Sequence, residues 1–254
     1  MSALLGAAAA LMLAQSFYTP AEAEGVFHDA LAAYERQDAA AAREDLRRLA
    51  EHGFASPAVL YNLGTAYLAE GDLGGAVLYL ERARRSGGAV REDAEAQLSL
   101  ARARQLDQVV GAPTEIPLAQ RLAEATSLQW AGWLFLVGWV AAFIALMVRR
   151  WVRGPRGRVL SLAAGLSFAA SVPAGALLGV HAYVRRTVQE AVVVAQALPA
   201  RESPAEGGRV TFEVHSGLKV RLLGREGNFV RILLPNGLEG WVEQGGVVKS
   251  DVDW

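Results

Sequence analysis

Four histidines are the residues of this chain best suited to acid–base or metal chemistry, and they lie far apart. They are His28, His52, His181 and His215, and none has a companion at the spacing of a metal site or a catalytic triad. The chain has no cysteine, which excludes thiol catalysis, disulfides and thiolate metal ligands. The glycine-rich stretch 71–75 lacks the lysine of a phosphate-binding loop. We therefore expect a protein that is not an enzyme and that binds neither a cofactor nor a metal.

The composition is typical of a membrane protein with soluble parts. Of the 254 residues, 52% are apolar and 20% are charged, and the mean hydropathy is +0.21. Such apolar content excludes intrinsic disorder. The formal net charge of −1 gives no electrostatic reason to expect nucleic-acid binding. The apolar residues are concentrated in two long runs in the middle of the chain.

Both runs are long enough to cross a bilayer. Residues 128–148 carry no charge and, at about 1.5 Å per residue, reach about 31 Å, close to the thickness of a hydrocarbon core. The alternative is a buried core helix. The second run, residues 159–184, is richer in small residues, and Gly175 and Gly179 form a step that allows close helix approach in lipid. We expect two transmembrane helices that pack as a hairpin.

The loop between the runs, residues 149–158, is strongly basic. Its arginines are Arg149, Arg150, Arg153, Arg156 and Arg158, and it contains no acid. An excess of positive charge in a short loop favours the cytoplasmic side of the membrane. We therefore expect both ends of the hairpin outside the cytoplasm. Alternatively, the loop binds anionic lipid or a cytosolic partner.

The first 23 residues predict a secretory signal peptide. A short apolar stretch is followed by an Ala-x-Ala-like cleavage site at residues 21–23, although no lysine or arginine precedes it. Export agrees with the orientation that the basic loop predicts. We expect a two-pass protein of a bacterial cytoplasmic membrane, with both soluble parts on the periplasmic or extracytoplasmic side.

Two similar helix pairs precede the first run. Aligning Tyr34 with Tyr67 places Leu31 opposite Gly64 and makes the first turn, at residues 37–38, one residue shorter than the second. The second copy resembles a tetratricopeptide (TPR) repeat. The residues that carry this resemblance are Leu63, Gly64, Tyr67, Ala76, Leu80 and Ala83.

A third helix, predicted over residues 91–108, would cap these repeats and complete a module over residues 24–110, with a linker at 111–127. The TPR resemblance implies a groove for a peptide or partner segment, lined by the first helix of each pair. The residues expected there are His28, Asp29, Tyr61, Asn62, Thr65 and Leu68. Alternatively, Tyr61 packs between the repeats.

Residues 188–254 alternate between apolar and polar positions, which predicts short strands in a small barrel. Asn236-Gly237 predicts a hairpin between the last two long strands. The strands are expected at residues 191–197, 210–214, 218–223, 229–234 and 239–243.

This segment resembles bacterial SH3-like domains. The resemblance rests on Gly217, Val220, Gly227, Phe229, Gly237, Gly240, Trp241 and Val242. The sequence departs from the family pattern at Phe229, where tryptophan is more usual, and in its final strand, residues 247–249, which lacks the usual isoleucine. It implies recognition of peptides or cell-wall material, with Phe229 and Trp241 as candidate contacts. Trp241 either stacks on a ligand or fills the barrel core.

Taken together, the sequence predicts a multidomain membrane protein with α-helical TPR repeats, two transmembrane helices and a small all-β SH3-like barrel. This order resembles the BatE-like proteins of the bacterial Bat aerotolerance operon. The resemblance implies a non-enzymatic envelope protein that works beside von Willebrand A-domain membrane proteins and a MoxR-type ATPase. It assigns no site residues.

Two functions remain open from the sequence. In the first, the chain is an adaptor that binds protein partners through its TPR and SH3-like modules. In the second, it is an envelope sensor whose SH3-like domain binds peptidoglycan or a peptide. Both modules are of types that bind other molecules and neither carries chemistry, which favours the adaptor.

Overall fold

A computed structural model describes residues 18–107, 117–152 and 154–251. Most of the predicted signal peptide, as well as Gln108 and Arg153, lies outside these ranges. The chain divides into two compact units. One contains residues 1–112 and 190–254, and the other contains residues 113–189. The first unit therefore joins parts of the chain that the sequence suggested were separate modules.

Within residues 18–107, five helices form the helical part of the first unit. They are α1 (Pro20–Glu35), α2 (Ala39–Glu51), α3 (Pro57–Glu70), α4 (Leu73–Ser86) and α5 (Val90–Ala103). Each helix packs against the next one along the chain. Because the connections are short, consecutive helices are antiparallel neighbours.

The two helix pairs start and turn in the same way. Thr19 and Ser56 cap α1 and α3 with their hydroxyl groups, and a proline follows each of them. Asp38 and Asp72 cap α2 and α4. The predicted cleavage site lies in the first turn of α1, so cleavage after Ala23 would remove the Thr19 cap. Signal cleavage stays a prediction.

The structure corrects the alignment of the two pairs. The amide of Asp38 donates to the carbonyl of Ala33, and the amide of Asp72 donates to the carbonyl of Tyr67. Both turns therefore have the same length, and Ala33 corresponds to Tyr67. By the same offset, the small residue opposite Gly64 is Ala30, which is fully buried, rather than Leu31. The alignment on two tyrosines was wrong by one residue.

Helix α5 ends at Ala103, five residues before its predicted end. The residues that follow leave the helix to contact the C-terminal sheet. Gln105 donates to the carbonyl of Gly217, and Asp107 accepts from the amide of His215. These contacts over long sequence distances outweigh the helix propensity of the segment.

The C-terminal part of the first unit is an antiparallel sheet of seven strands in the order β3-β2-β6-β5-β4-β1-β7. The strands are β1 (Gln189–Val193), β2 (Ala197–Arg201), β3 (Val210–His215), β4 (Lys219–Glu226), β5 (Phe229–Leu233), β6 (Glu239–Glu243) and β7 (Val247–Lys249). The single strand expected at 191–197 is wrong, because the chain bends after Val193 and Ala197 begins β2.

The sheet curls around one apolar core. Val193 of β1 and Val214 of β3 belong to the same buried cluster although four strands separate them in the sheet order. The predicted hairpin joins β5 and β6 in register. Its turn closes with a hydrogen bond from the amide of Gly237 to the carbonyl of Leu234. Gly237 has φ +87°, which glycine adopts most easily.

In the described part of the second unit there are three helices: α6 (Leu118–Ala125), α7 (Leu128–Arg149) and α8 (Pro155–Thr187). Helix α6 lies in the segment predicted as a linker and packs against α8. Helices α7 and α8 are long and apolar enough to cross a membrane, with mean hydropathies of 2.3 and 1.6. Within the described residues, their apolar side chains stay largely exposed, as expected for a lipid-facing surface.

The crossing of α7 and α8 differs from the predicted glycine step. A Cβ atom at Gly138 of α7 would lie 2.9 Å from the Ser171 Cβ atom, so the two helices approach closely at Gly138. Gly175 faces the Phe135 ring, with 3.1 Å between that ring and a Cβ at Gly175. A Cβ at Gly179 would meet nothing within 4 Å, so Gly179 does not contribute to this crossing.

Candidate functional site

The residues suited to chemistry are not brought together. His28 is exposed. The other three histidines each contact a different neighbour: His52 the carbonyl of Arg48, His181 the hydroxyl of Thr126, and His215 the carboxylate of Asp107. Within the described ranges, no three histidine, aspartate or glutamate side chains are grouped to hold a metal ion. The interpretation that the chain is not an enzyme stays a prediction.

The residues predicted to line a helical groove divide into an exposed and a buried set. His28 and Asp29 of α1 are exposed. Thr65 and Leu68 of α3 are 9% and 4% exposed, so they cannot line an open groove as predicted. Leu68 instead packs in a cluster that includes residues of α4, α5 and β1. A partly exposed apolar cavity of about 830 Å³ lies elsewhere, between the start of α1 and the α2–α3 connection.

The two other predicted groove residues are half-buried. Tyr61 packs against the apolar clusters around α4 and α5, which is the alternative that the sequence left open. Asn62 donates from its side-chain amide to the carbonyl of Ala58. Of the six predicted groove residues, only the pair on α1 is fully available to a partner in this structure.

The sheet packs on the helices through one apolar patch. Val192 of β1 is fully buried in a cluster with Leu80 of α4 and Leu98 of α5. Close approach of backbone is possible because α4 carries a glycine at this point. A Cβ atom at Gly74 would lie 2.8 Å from the Val194 Cα atom. The helical part and the sheet therefore form a continuous packed structure.

A buried carboxylate lies beside this patch. The side chain of Glu81 is 1% exposed, and its oxygens contact Arg84 at 2.7 Å, Arg102 at 3.3 Å and Lys219 at 3.6 Å. Lys219 comes from β4 and also contacts Glu190 of β1 at 2.8 Å. Because a buried charge is costly unless it is paired, this cluster couples α4 and α5 to the sheet.

Two opposing effects act on the pKa of Glu81. Burial raises it, but Lys219, Arg84 and Arg85 lower it more, so the net pKa lies below the usual value of 4.5. The carboxylate is therefore charged in the folded protein across the neutral range.

Further polar contacts extend this interface on both sides. The amide of His215 donates to Asp107 at 2.6 Å, and Arg82 donates to the carbonyl of Lys249 at 3.1 Å. Arg85 pairs with Glu190 and with Asp251. We use the term docking interface for the apolar patch, the Glu81 cluster and these contacts.

The outer face of the sheet carries a row of residues away from the docking interface. Strand pairing aligns five of them across five neighbouring strands: Val210, Arg201, Trp241, Arg231 and Gly224. We call these residues the Trp241 row. Two arginines thus flank the tryptophan. A Cβ atom at Gly224 would meet nothing within 4 Å, so there is open space beside Arg231.

The alternation of buried and exposed residues along β6 shows which way the Trp241 side chain points. Gly240 and Val242 are buried towards the sheet core, so Trp241 faces outward between them and is partly exposed. Of its two predicted roles, filling the core is therefore wrong. Phe229 also lies on the outward-facing side of its strand, but it is only 7% exposed, so it is not available as a ligand contact.

The charges of the Trp241 row are held in place by neighbours. Arg231 pairs with Glu239 at 2.5 Å, and both side chains are well exposed. The Nη1 group of Arg201 donates to the carbonyl of Gly208 at 2.9 Å. An outward aromatic side chain between two positioned guanidinium groups is suited to bind a ligand with an apolar part and carboxylates.

Comparison with known proteins supports the assignment of the sheet. No curated protein matches this chain. Residues 197–248 match the family described as Bacterial SH3 domain, which covers β2 to β7 almost completely. The SH3-like domain predicted from the sequence is therefore confirmed, and such a domain is consistent with binding of protein or peptidoglycan.

Proposed function

We propose that this chain is a two-pass membrane adaptor without enzymatic activity, which binds protein partners outside the cytoplasm. The observation that carries the proposal is the docking interface, centred on Glu81 and Lys219. It fixes the SH3 domain to α4 and α5 by one part of its surface. The Trp241 row on another part stays open for a partner, with Val210 48% exposed.

The docking interface also supports the topology of the proposal. Residues 18–107 and 190–251 pack together, so both must lie on the same side of a membrane. Two spans between them, α7 and α8, satisfy this requirement, and a single span would not. The exposed arginines of the connecting loop, Arg149, Arg150, Arg156 and Arg158, favour the cytoplasm for that loop. Both soluble parts would then lie on the extracytoplasmic side.

The shared caps and turns of the two helix pairs support their interpretation as TPR repeats, with α5 as the cap. Repeats of this type and SH3-like domains both serve as interaction modules. By its resemblance to BatE-like proteins, the chain would work beside von Willebrand A-domain membrane proteins and a MoxR-type ATPase. These are the first partners to test.

Photo-crosslinking in living cells tests the adaptor. A photoreactive amino acid at Val210, in the Trp241 row, is expected to give a discrete adduct with one protein. The matched control is Glu206, which is exposed in the same domain but lies in the β2–β3 connection outside the row. No protein adduct at Val210, or the same adducts at both positions, would contradict the proposal.

A second candidate function is that of an envelope sensor whose SH3 domain binds peptidoglycan. The match to the Bacterial SH3 domain family favours it. Sedimentation of the full-length protein with purified cell-wall sacculi distinguishes the two functions. Cosedimentation that is lost in the Trp241→Ala variant would favour the sensor.

A further inference from the structure

The Trp241 row defines a ligand more narrowly than the SH3 fold does. We infer that it binds an extended acidic segment of a partner protein, with two carboxylates that flank one apolar side chain. This inference rests on the proposed adaptor function and specifies the partner chemistry of the same surface.

The spacing of the row sets the spacing of the ligand. Arg201, Trp241 and Arg231 lie on three adjacent strands and are paired directly across them. Because neighbouring strands lie about 4.8 Å apart, the two arginine backbones are separated by about 10 Å. An extended peptide covers about 3.3 Å per residue and points alternate side chains to the same face, so residues four positions apart share one face at a separation of about 13 Å, which two long arginine side chains can span. Acidic residues four positions apart would meet both guanidinium groups, with the residue midway between them facing Trp241.

Charge complementarity selects an acid rather than a base as the ligand group. Both charged members of the row are arginines, whose guanidinium groups form strong charge-assisted hydrogen bonds to carboxylates. The same face also carries Glu213, Glu226, Glu239 and Glu243. Strand pairing places none of these acids directly opposite either arginine, although the Glu239 side chain reaches Arg231.

Arg231 is available although it pairs with Glu239. That ion pair is exposed, since 49% of the Arg231 side chain and 38% of the Glu239 side chain are accessible. Exposed pairs of this kind contribute little free energy, so a ligand carboxylate can replace Glu239. The Nη1 group of Arg201 donates to the carbonyl of Gly208 and its Nε atom is buried, whereas its Nη2 group makes no hydrogen bond among the described residues and is the group left for a ligand.

The flanking arginines favour an acidic peptide over a neutral glycan. Trp241 is partly exposed and offers an apolar contact to one aliphatic side chain. The arginines on either side supply charges that a neutral sugar would leave unpaired. The open space at Gly224 lets the peptide continue past Arg231 without a steric clash.

Binding of a designed peptide to the full-length protein in lipid nanodiscs tests this inference. The probe is a blocked peptide with two glutamates four positions apart and a leucine midway between them. The comparison peptide carries glutamines instead. We expect a dissociation constant of about 0.1–1 mM for the acidic probe, which weakens with added salt, and no measurable binding of the glutamine peptide.

Substitutions test whether the acidic peptide binds at the Trp241 row. Trp241→Ala is expected to weaken binding at least about tenfold, and Arg201→Gln and Arg231→Gln about threefold each. Arg225→Gln is the matched control, because Arg225 is exposed in β4 but outside the row, and it should leave binding unchanged. The Tm of each variant is measured alongside its binding, so that unfolding is not mistaken for lost binding.

Three results would overturn the inference: equal binding of both peptides, equal loss in the Arg225→Gln control, or preference for muramyl-peptide fragments over the acidic probe. These failures are distinguishable from failure of the adaptor function. If Val210 crosslinks to a protein in cells while the acidic probe does not bind, the adaptor stands and only the acidic ligand is wrong.

Discussion

Glu81 of α4 and Lys219 of β4 lie 3.6 Å apart, although the two apolar helices come between them in the sequence. Their contact is part of the docking interface, which makes the helical part and the SH3 domain one unit. The proposed topology and the open position of the Trp241 row both depend on this unit.

Removing the buried charge is expected to destabilise the unit. Glu81→Gln leaves Arg84, Arg102 and Lys219 without their shared carboxylate and should lower the free energy of unfolding by about 2 kcal/mol. The cost stays moderate because these bases are partly exposed to water. Thermal unfolding in detergent measures the effect, as a decrease in Tm of about 4–8 °C.

The matched control for this variant is Glu95→Gln. Glu95 pairs with Arg91 on the exposed surface of α5, so its loss should cost less than about 0.5 kcal/mol. Equal decreases in Tm for both variants would show that the Glu81 cluster does not stabilise the unit.

Acid should weaken the docking interface through the same residue. The folded pKa of Glu81 lies below 4.5, so its contribution to stability is complete above that pH and is lost as the pH falls through the folded pKa. We expect Tm to fall less steeply below about pH 4.5 in Glu81→Gln than in the unmodified protein. Parallel pH profiles of the two proteins would contradict this assignment.

A methyl group at the docking interface should separate the sheet from the helices. In Gly74→Ala, the new Cβ would lie 2.8 Å from the Val194 Cα atom, so backbone must shift at a cost of about 1–3 kcal/mol. Gly25→Ala is the control, because a Cβ there meets nothing within 4 Å and should stabilise α1 by about 0.5–1 kcal/mol. Hydrogen exchange at β1 reports the separation, and unchanged protection of β1 in Gly74→Ala would refute it.

A glycine-to-alanine substitution should also destabilise the contact between the two apolar helices, α7 and α8. Gly138→Ala places a Cβ 2.9 Å from the Ser171 Cβ atom and should destabilise the hairpin by about 1–3 kcal/mol. Gly179→Ala fills open space and should have little effect. Unfolding with sodium dodecyl sulfate, followed by tryptophan fluorescence, compares the variants. A larger loss of stability in Gly179→Ala than in Gly138→Ala would instead support the helix contact through Gly175 and Gly179 that was predicted from the sequence.

Local patterns predicted most elements correctly because each element has its own sequence signal. The apolar runs and the Asn236-Gly237 hairpin are examples. Strand β2 was missed because Pro199 and the charged end of the segment do not look like a strand. It forms because β3 and β6 supply its hydrogen-bonding partners.

The functional surface was harder to predict because it depends on contacts over long sequence distances. Nothing near Glu81 in the sequence indicates that Lys219 would lie beside it. The orientation of Trp241 could have been inferred from strand alternation, since its neighbours Gly240 and Val242 face the core. The position of Arg201 could not be inferred, because it lies beside Trp241 only through strand β2, which was missed.

In the proposed topology both soluble parts lie together outside the cytoplasm, and cysteine labelling is the sharpest test of this arrangement. Because the chain has no cysteine, each substitution creates a unique thiol. We would make Ala40→Cys in α2, Ala205→Cys in the SH3 domain and Trp151→Cys between the spans, all at exposed positions. Intact cells, with any outer membrane permeabilised, are then treated with a membrane-impermeant maleimide. We expect labelling at 40 and 205 but not at 151. Labelling at 151 alone, or different accessibility of 40 and 205, would contradict the proposed topology.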